Sequence, residues 1–214
     1  MSAFYGQTHR ALQEEHGTRR MADRLEELAH GEFDPTERGF IEGVSMFFLS
    51  TVDDRGRPTV SYKGGAPGFV RVVGPSELAF PSYDGNGMFL SLGNISAHPQ
   101  VGLLFIDFEH PHRVRVQGAA RVLRDDPMMA EFPGAKLIVR VEAEQIFVNC
   151  GRYIHKVQGR TLSPHVPDAE GHQPFPTWKR LDLFTGSRSE RDERRVAEAG
   201  GEMSLEEYPG EDPG

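Results

Sequence analysis

The 214-residue chain carries 32 acidic against 24 basic residues, a formal charge of −8, so it lacks the basic balance of a nucleic-acid partner, and its length favours one domain with attached arms. Cys150 is the only cysteine, which excludes an intrachain disulfide and a multi-thiolate zinc site and fits a reducing compartment. No segment reaches the roughly 18 apolar residues of a bilayer span, and the first 32 residues include Glu14, Glu15, Glu26 and Glu27 without a signal-like apolar run, so a soluble, cytoplasmic protein with no membrane partner is expected.

In chain order, the first helical pattern is Met21, Leu25, Leu28 and Ala29, spaced into one apolar stripe, with Gly31 placed to stop it. A second helix opens at Pro35, where Asp34 caps and Glu37 completes a capping box, and it ends before Ser45. Met46 to Val52 then reads as a strand, Asp53 to Gly56 as a turn and Thr59 to Lys63 as the return strand. Phe69 to Val73 and Glu77 to Phe80 pair around Gly74-Pro75-Ser76. Met88, Phe89, Leu92 and Ile95 fall on one face of an inserted helix, which Asn94 to Pro99 closes. Val101 to Phe108 and Arg113 to Leu123 form a third hairpin, and Lys136 to Val148 is a long final strand.

Many antiparallel strands around one helix suggest a small barrel, although periodicity alone does not separate a barrel from a sandwich. Beyond it, Leu162 to Trp178 is rich in Pro, Gly and His and reads as an ordered arm, whereas Ser187 to Gly214 is charged with little to bury and reads as a mobile tail. The expected division is an N-terminal helical arm over 1–39, a barrel over 40–150, a C-terminal arm over 151–186 and an acidic tail over 187–214.

The stretch from Phe80 to Asn94 holds the most chemistry, because a strand ends, a Gly-rich turn follows and a helix begins. Such a turn can aim free amides and the positive end of a helix dipole at an anion, though the same residues also serve as a connection without ligand. Nine histidines raise the question of a metal, but His110, His112, His155, His165 and His172 lie in turns or irregular sequence with no HExxH spacing, and no metal site is expected. Dinucleotide, P-loop and nucleophile-elbow motifs are absent.

Five ordered pieces, Phe48 to Lys63, Gly68 to Val72, Leu78 to Asn94, His98 to Phe105 and Arg113 to Arg121, resemble the FMN-binding barrel of the pyridoxamine 5′-phosphate oxidase superfamily over roughly residues 40–150. The resemblance implies a mainly β, α+β fold: a six-stranded antiparallel split β-barrel with N-terminal helices, one inserted helix and a C-terminal arm. It implies FMN held between two copies of the chain. Thr59, Val60 and Ser61 would then lie along the flavin, with Lys63 at its phosphate or polar edge; otherwise Lys63 is an exposed strand-end lysine. Phe80, Pro81 and Ser82 with Asn86, Gly87 and Met88 match the ribityl and phosphate cradle. Arg113 and Gln117, with Arg115, would face the cofactor of a second copy, or else lie on a solvated strand face.

Relatives commonly carry Arg or Lys where this chain has Gly87, and a guanidinium makes a charge-assisted phosphate contact that glycine does not. Weak FMN binding is therefore expected unless Lys63, or Arg113 or Arg115 of a second copy, compensates. The run Phe147 to Lys156 resembles the barrel end of an uncharacterised subgroup. There Cys150 either sits near the flavin or is a small buried thiol, and Trp178 either stacks near the ring or anchors the arm. The resemblance thus implies an FMN-dependent oxidoreductase acting on an unidentified small molecule, which enters past the Lys63 to Gly65 bend, Arg113 of a second copy, Tyr153 and Trp178. The C-terminal Arg and His substrate motif of the true oxidase is missing, so that reaction is not implied. Deazaflavin or haem in the same barrel, or a non-catalytic flavin-binding or stress-related module, are the alternatives.

Overall fold

The computed structural model describes residues 4–151, 153–155, 157, 159 and 162–209. Three short helices lead in: α1 (Gln7–Glu15), α2 (Arg19–Glu27) and α3 (Pro35–Gly43). The start of α3 follows from its sequence, because Asp34 Oδ1 accepts the amides of Thr36 and Glu37 at 2.7 and 2.8 Å while Glu37 Oε2 accepts that of Asp34 at 3.2 Å. The apolar stripe expected on the earlier helix forms but faces outward: Met21, Leu25 and Leu28 are exposed and Ala22 is the buried residue of α2. Arg10 holds α1 against α2 through Asp23 and Glu26 at 2.7 and 3.0 Å, so the two helices are joined by ion pairs and not by the stripe.

The strands are β1 (Met46–Val52), β2 (Pro58–Gly64), β3 (Arg71–Val72), β4 (Glu77–Ser82), β5 (Gln100–Asp107), β6 (His112–Leu123) and β7 (Leu137–Val148), with α4 (Leu90–Ala97) between β4 and β5. They form one antiparallel sheet in the order β2-β1-β5-β6-β7-β4-β3. The described residues thus form seven strands, not the six that the resemblance implied. The shortest is the two-residue edge strand β3, expected over Phe69 to Val73 but cut short where the amides of Val73 and Gly74 both turn back to the Glu77 carbonyl.

The sheet is strongly curled. Four spacings separate β1 from β4, which in a flat sheet would hold them about 19 Å apart. Yet the Phe47 ring of β1 meets the Phe80 ring of β4 with centroids 5.0 Å apart, and Phe105 at 5.1 Å. Alternate residues of β1, β4, β5, β6 and β7 (Leu49, Leu103, Val114, Val116, Val139 and Val141 among them) fill the enclosed core. Gly118 permits the bend: the β6–β7 register shifts between Gln117 and Gly118, and a Cβ there would lie 2.0 Å from the Glu142 carbonyl oxygen.

The C-terminal region corrects the expectation of a charged tail with little to bury. It contains α5 (Glu190–Glu198), whose Val196 is buried, and the Arg188 side chain beside it is only 4% exposed. The charges expected to stay solvated pair instead, Lys179 with Asp192 at 3.0 Å and Arg188 with Glu202 at 2.6 Å. Residues 1–3 and 210–214 of the expected arm and tail lie outside the described residues. Among those described, no helix is long and apolar enough to cross a membrane.

Candidate functional site

Strand alternation builds the first wall. In β2, Pro58, Val60 and Tyr62 are exposed, whereas Thr59, Ser61 and Lys63 turn inward and are half-buried. The three inward side chains meet α4 and β1. Thr59 Oγ1 lies 2.8 Å from Thr51 Oγ1 and accepts from Asn94 Nδ2 at 3.3 Å, so its hydroxyl is engaged in the fold. Ser61 Oγ lies 2.8 Å from Ser91 Oγ, and Lys63 Nζ donates to the same Ser91 Oγ at 3.3 Å. Burial pushes the Lys63 ammonium below the usual lysine pKa. Among the described residues no carboxylate pairs with it.

The second wall is the turn from Ser82 into α4. Asn86 Oδ1 accepts the Met88 amide at 3.0 Å, Gly87 adopts φ +80°, and Phe89 stands at φ 49°, the one non-glycine residue with positive φ among those described. Such a conformation costs on the order of 1–3 kcal/mol. Phe89 occupies the helix N-cap without a side-chain cap, and the amides of Leu90, Ser91 and Leu92 have no acceptor among the described residues. The helix therefore begins later than its apolar pattern suggested. Leu92 and Ile95 are buried as expected, but Met88 and Phe89 precede the helix and are exposed at the cavity rim.

Between these walls lies a cavity of about 1030 Å³. Its far side comes from the C-terminal segment: Trp178, Lys179, Phe184, Arg188 and Arg191. The Trp178 ring packs edge-on against Phe184 with centroids 5.3 Å apart, and Arg191 reaches across to Asp84 of the opposite turn at 2.7 Å. Five basic side chains line the cavity; Lys179, Arg188 and Arg191 are paired with Asp192, Glu202 and Asp84, which leaves Lys63 and Lys136 without a carboxylate partner among the described residues. The cavity is thus suited to an anion.

Ser61, Lys63, Ser82, Asn86, Gly87, Met88 and Trp178 all line this cavity. Thr59 and Val60 do not; Val60 projects from the opposite face of β2. Phe80 is 1% exposed in the core and Pro81 is buried beside it. Arg113 and Gln117 lie on β6 away from the core residues Val114 and Val116, and Arg113 Nε is buried without a hydrogen-bond partner. Cys150 is exposed rather than a buried thiol, and Arg152 and Lys156 of the run around it lie outside the described residues. Sequence reasoning missed Ser91, Tyr83 and Lys136. Ser91 carried a weak signal, a hydroxyl in the first turn of an otherwise apolar helix; Lys136 carried none.

A family description, pyridoxamine 5′-phosphate oxidase, matches residues 33–160. Among solved structures, the chain is similar to a Lactobacillus delbrueckii protein of the same description, with 27% identity and a TM-score of 0.43 over 55% of this chain and 95% of that one. It is similar to HutZ, the haem storage protein of Vibrio cholerae, with 22% identity and a TM-score of 0.42 over 55% of this chain and 94% of that one. An FMN-binding protein from Syntrophomonas wolfei has 12% identity and a TM-score of 0.41 over 65% of this chain and 97% of that one. No curated protein matches. The family match ends at residue 160, so the wall formed by Trp178 to Asp192 lies beyond it.

Proposed function

The chain belongs to the pyridoxamine 5′-phosphate oxidase family, and from that premise we propose that its large cavity holds FMN for an oxidoreductase acting on a small molecule. The observation that carries this reading is Lys63, a half-buried ammonium with no carboxylate beside it, donating to the hydroxyl of Ser91 in the first turn of α4, whose amides are unpaired among the described residues. A phosphate fits that donor set: one cation, the Ser61 and Ser91 hydroxyls, and the positive end of a helix. Gly87 leaves open space where a side chain would stand, so Lys63 takes the charge-neutralising role that a basic turn residue would otherwise share.

Bound there, the flavin would supply the redox chemistry. The protein's part is orientation and exclusion of water. Ser82 and Asn86 line the path away from Lys63, and Trp178 with Phe184 covers the cavity from the C-terminal side.

The homodimer belongs to the same proposal. Register aligns Tyr62, Phe48, Leu104, Arg115 and Phe147 in one row across the outer face of β2, β1, β5, β6 and β7, and Tyr62 is 62% exposed. The row is apolar apart from Arg115, and Arg113, two residues along β6 on the same face, has an Nε without an acceptor; both support a second copy packing there, with Arg113 and Gln117 turned to that copy's cofactor. The visible spectrum of purified protein before and after added FMN tests the cofactor. The expected result is the two-band absorbance of an oxidised flavin; a Soret band, or the single band of a deazaflavin, would replace FMN by that group.

A further inference from the structure

Next to the large cavity lies a smaller one of about 250 Å³, and the two share Asp84, Lys136 and Arg191 as a common wall. Its remaining lining includes Gly134, Gly171, His172 and Arg195, which join the loop before β7 to the C-terminal arm. The floor is a backbone-to-backbone contact. A Cβ on Gly171 would lie 2.7 Å from the Gly134 nitrogen, and one on Gly134 would lie 3.1 Å from the Gly171 carbonyl oxygen. Both glycines sit near φ +80°, at +82° and +81°, so the close approach depends on both.

Three basic side chains, Lys136, Arg191 and Arg195, meet one carboxylate in this cavity. Asp84 is taken by Arg191 at 2.7 Å. Lys136 and Arg195 have no carboxylate partner among the described residues; Arg195 lies over the Phe175 ring at 4.8 Å and reaches only the Gln173 carbonyl at 3.5 Å. His172 is held by Asp168 at 3.3 Å. Two uncompensated cations over a tight glycine floor, opening on the large cavity, make an anion-binding arrangement separate from Lys63.

Resting on the FMN reading, we propose that the Lys136–Arg195 cavity is a second anion subsite, which receives a carboxylate or phosphate group. That group belongs either to the substrate or to a cofactor with a second phosphate, as in a flavin dinucleotide. Arg191 and Arg195 lie outside the family match at residues 33–160, so the subsite is an addition made by this chain's C-terminal segment.

Titration of the full chain with inorganic phosphate, followed by amide chemical shifts, tests the subsite. Saturating shifts at Gly134, Lys136, Gly171 and Gln173 are expected, and Lys136→Ala with Arg195→Ala should weaken them at least tenfold. Lys136→Ala alone changes an exposed side chain and still decides the matter if the double variant fails to fold. Phosphate shifts confined to the amides of Leu90 to Leu92, or equal affinity in wild type and Lys136→Ala, would overturn the subsite. The titration runs equally on cofactor-free protein, so the two failures are told apart: absent FMN binding with the phosphate shifts intact sinks the cofactor reading, and absent phosphate shifts in protein that binds FMN sink the subsite. Wild-type comparison of FAD with FMN separates the sources. FAD binding at least tenfold tighter and displacing phosphate assigns the group to a dinucleotide, whereas phosphate binding undisturbed beside FMN assigns it to the substrate.

Discussion

An ammonium held half out of water against a serine hydroxyl, with no carboxylate in reach, leaves Lys63 short of solvation until an anion arrives. Opposite pH dependences follow. Without ligand, the unfolded chain binds the proton more tightly than the folded one, so stability rises with pH between the depressed Lys63 pKa and the ordinary lysine value near 10.4. FMN binding requires the charged ammonium and should fall as pH rises through the Lys63 pKa, below the usual lysine range. Titration calorimetry across alkaline pH should record that fall in wild type and a flatter profile in Lys63→Ala. Thr59→Val acts differently: it removes the hydroxyl shared by Thr51 and Asn94, both buried, and should cost about 1–2 kcal/mol of stability by denaturant unfolding with little effect on FMN affinity. At this scale the family resemblance pointed to Ser61, Lys63 and Ser82, which line the cavity, but not to Ser91 or Lys136, which reach it only because β2, α4 and the start of β7 converge.

Elements were legible where alternation and turn chemistry agreed, as in the β1–β2 hairpin with its Asp53 to Gly56 turn and the capping box of α3. Helix α4 started later than its apolar spacing suggested, because Phe89 adopts a left-handed conformation that residue identity does not betray. The docking of α5 was hidden for another reason: its Arg191, Asp192 and Glu193 pair with Asp84, Lys179 and Arg188, pairings that only the fold creates. The junction of the arm with the barrel offers a test at this scale. Gly171→Ala puts a side chain at φ +81°, 2.7 Å from the Gly134 nitrogen, and should destabilise that junction by about 1–3 kcal/mol. Limited proteolysis should then cut the variant between the barrel and α5 faster than wild type; equal cleavage rates would mean that the glycine contact does not hold the arm.

For the whole molecule, curling the sheet buries one face and leaves the Tyr62 to Phe147 row on the other. Sedimentation should find a dimer, and Leu104→Glu at the middle of the row should shift it toward monomer; a monomer that retains flavin would contradict the two-copy site. The barrel's strand order was not readable from local pattern alone, since neighbours such as β1 and β5 lie far apart in sequence and owe their pairing to long-range packing.

Equilibrium titration with FMN and with riboflavin, which differ only by the phosphate, addresses the Lys63 cradle most directly. Wild type should bind FMN at least tenfold more tightly, a difference of about 1.4 kcal/mol or more, and Lys63→Ala should bring the two affinities together. Equal affinity for both flavins in wild type would contradict a phosphate cradle at Lys63.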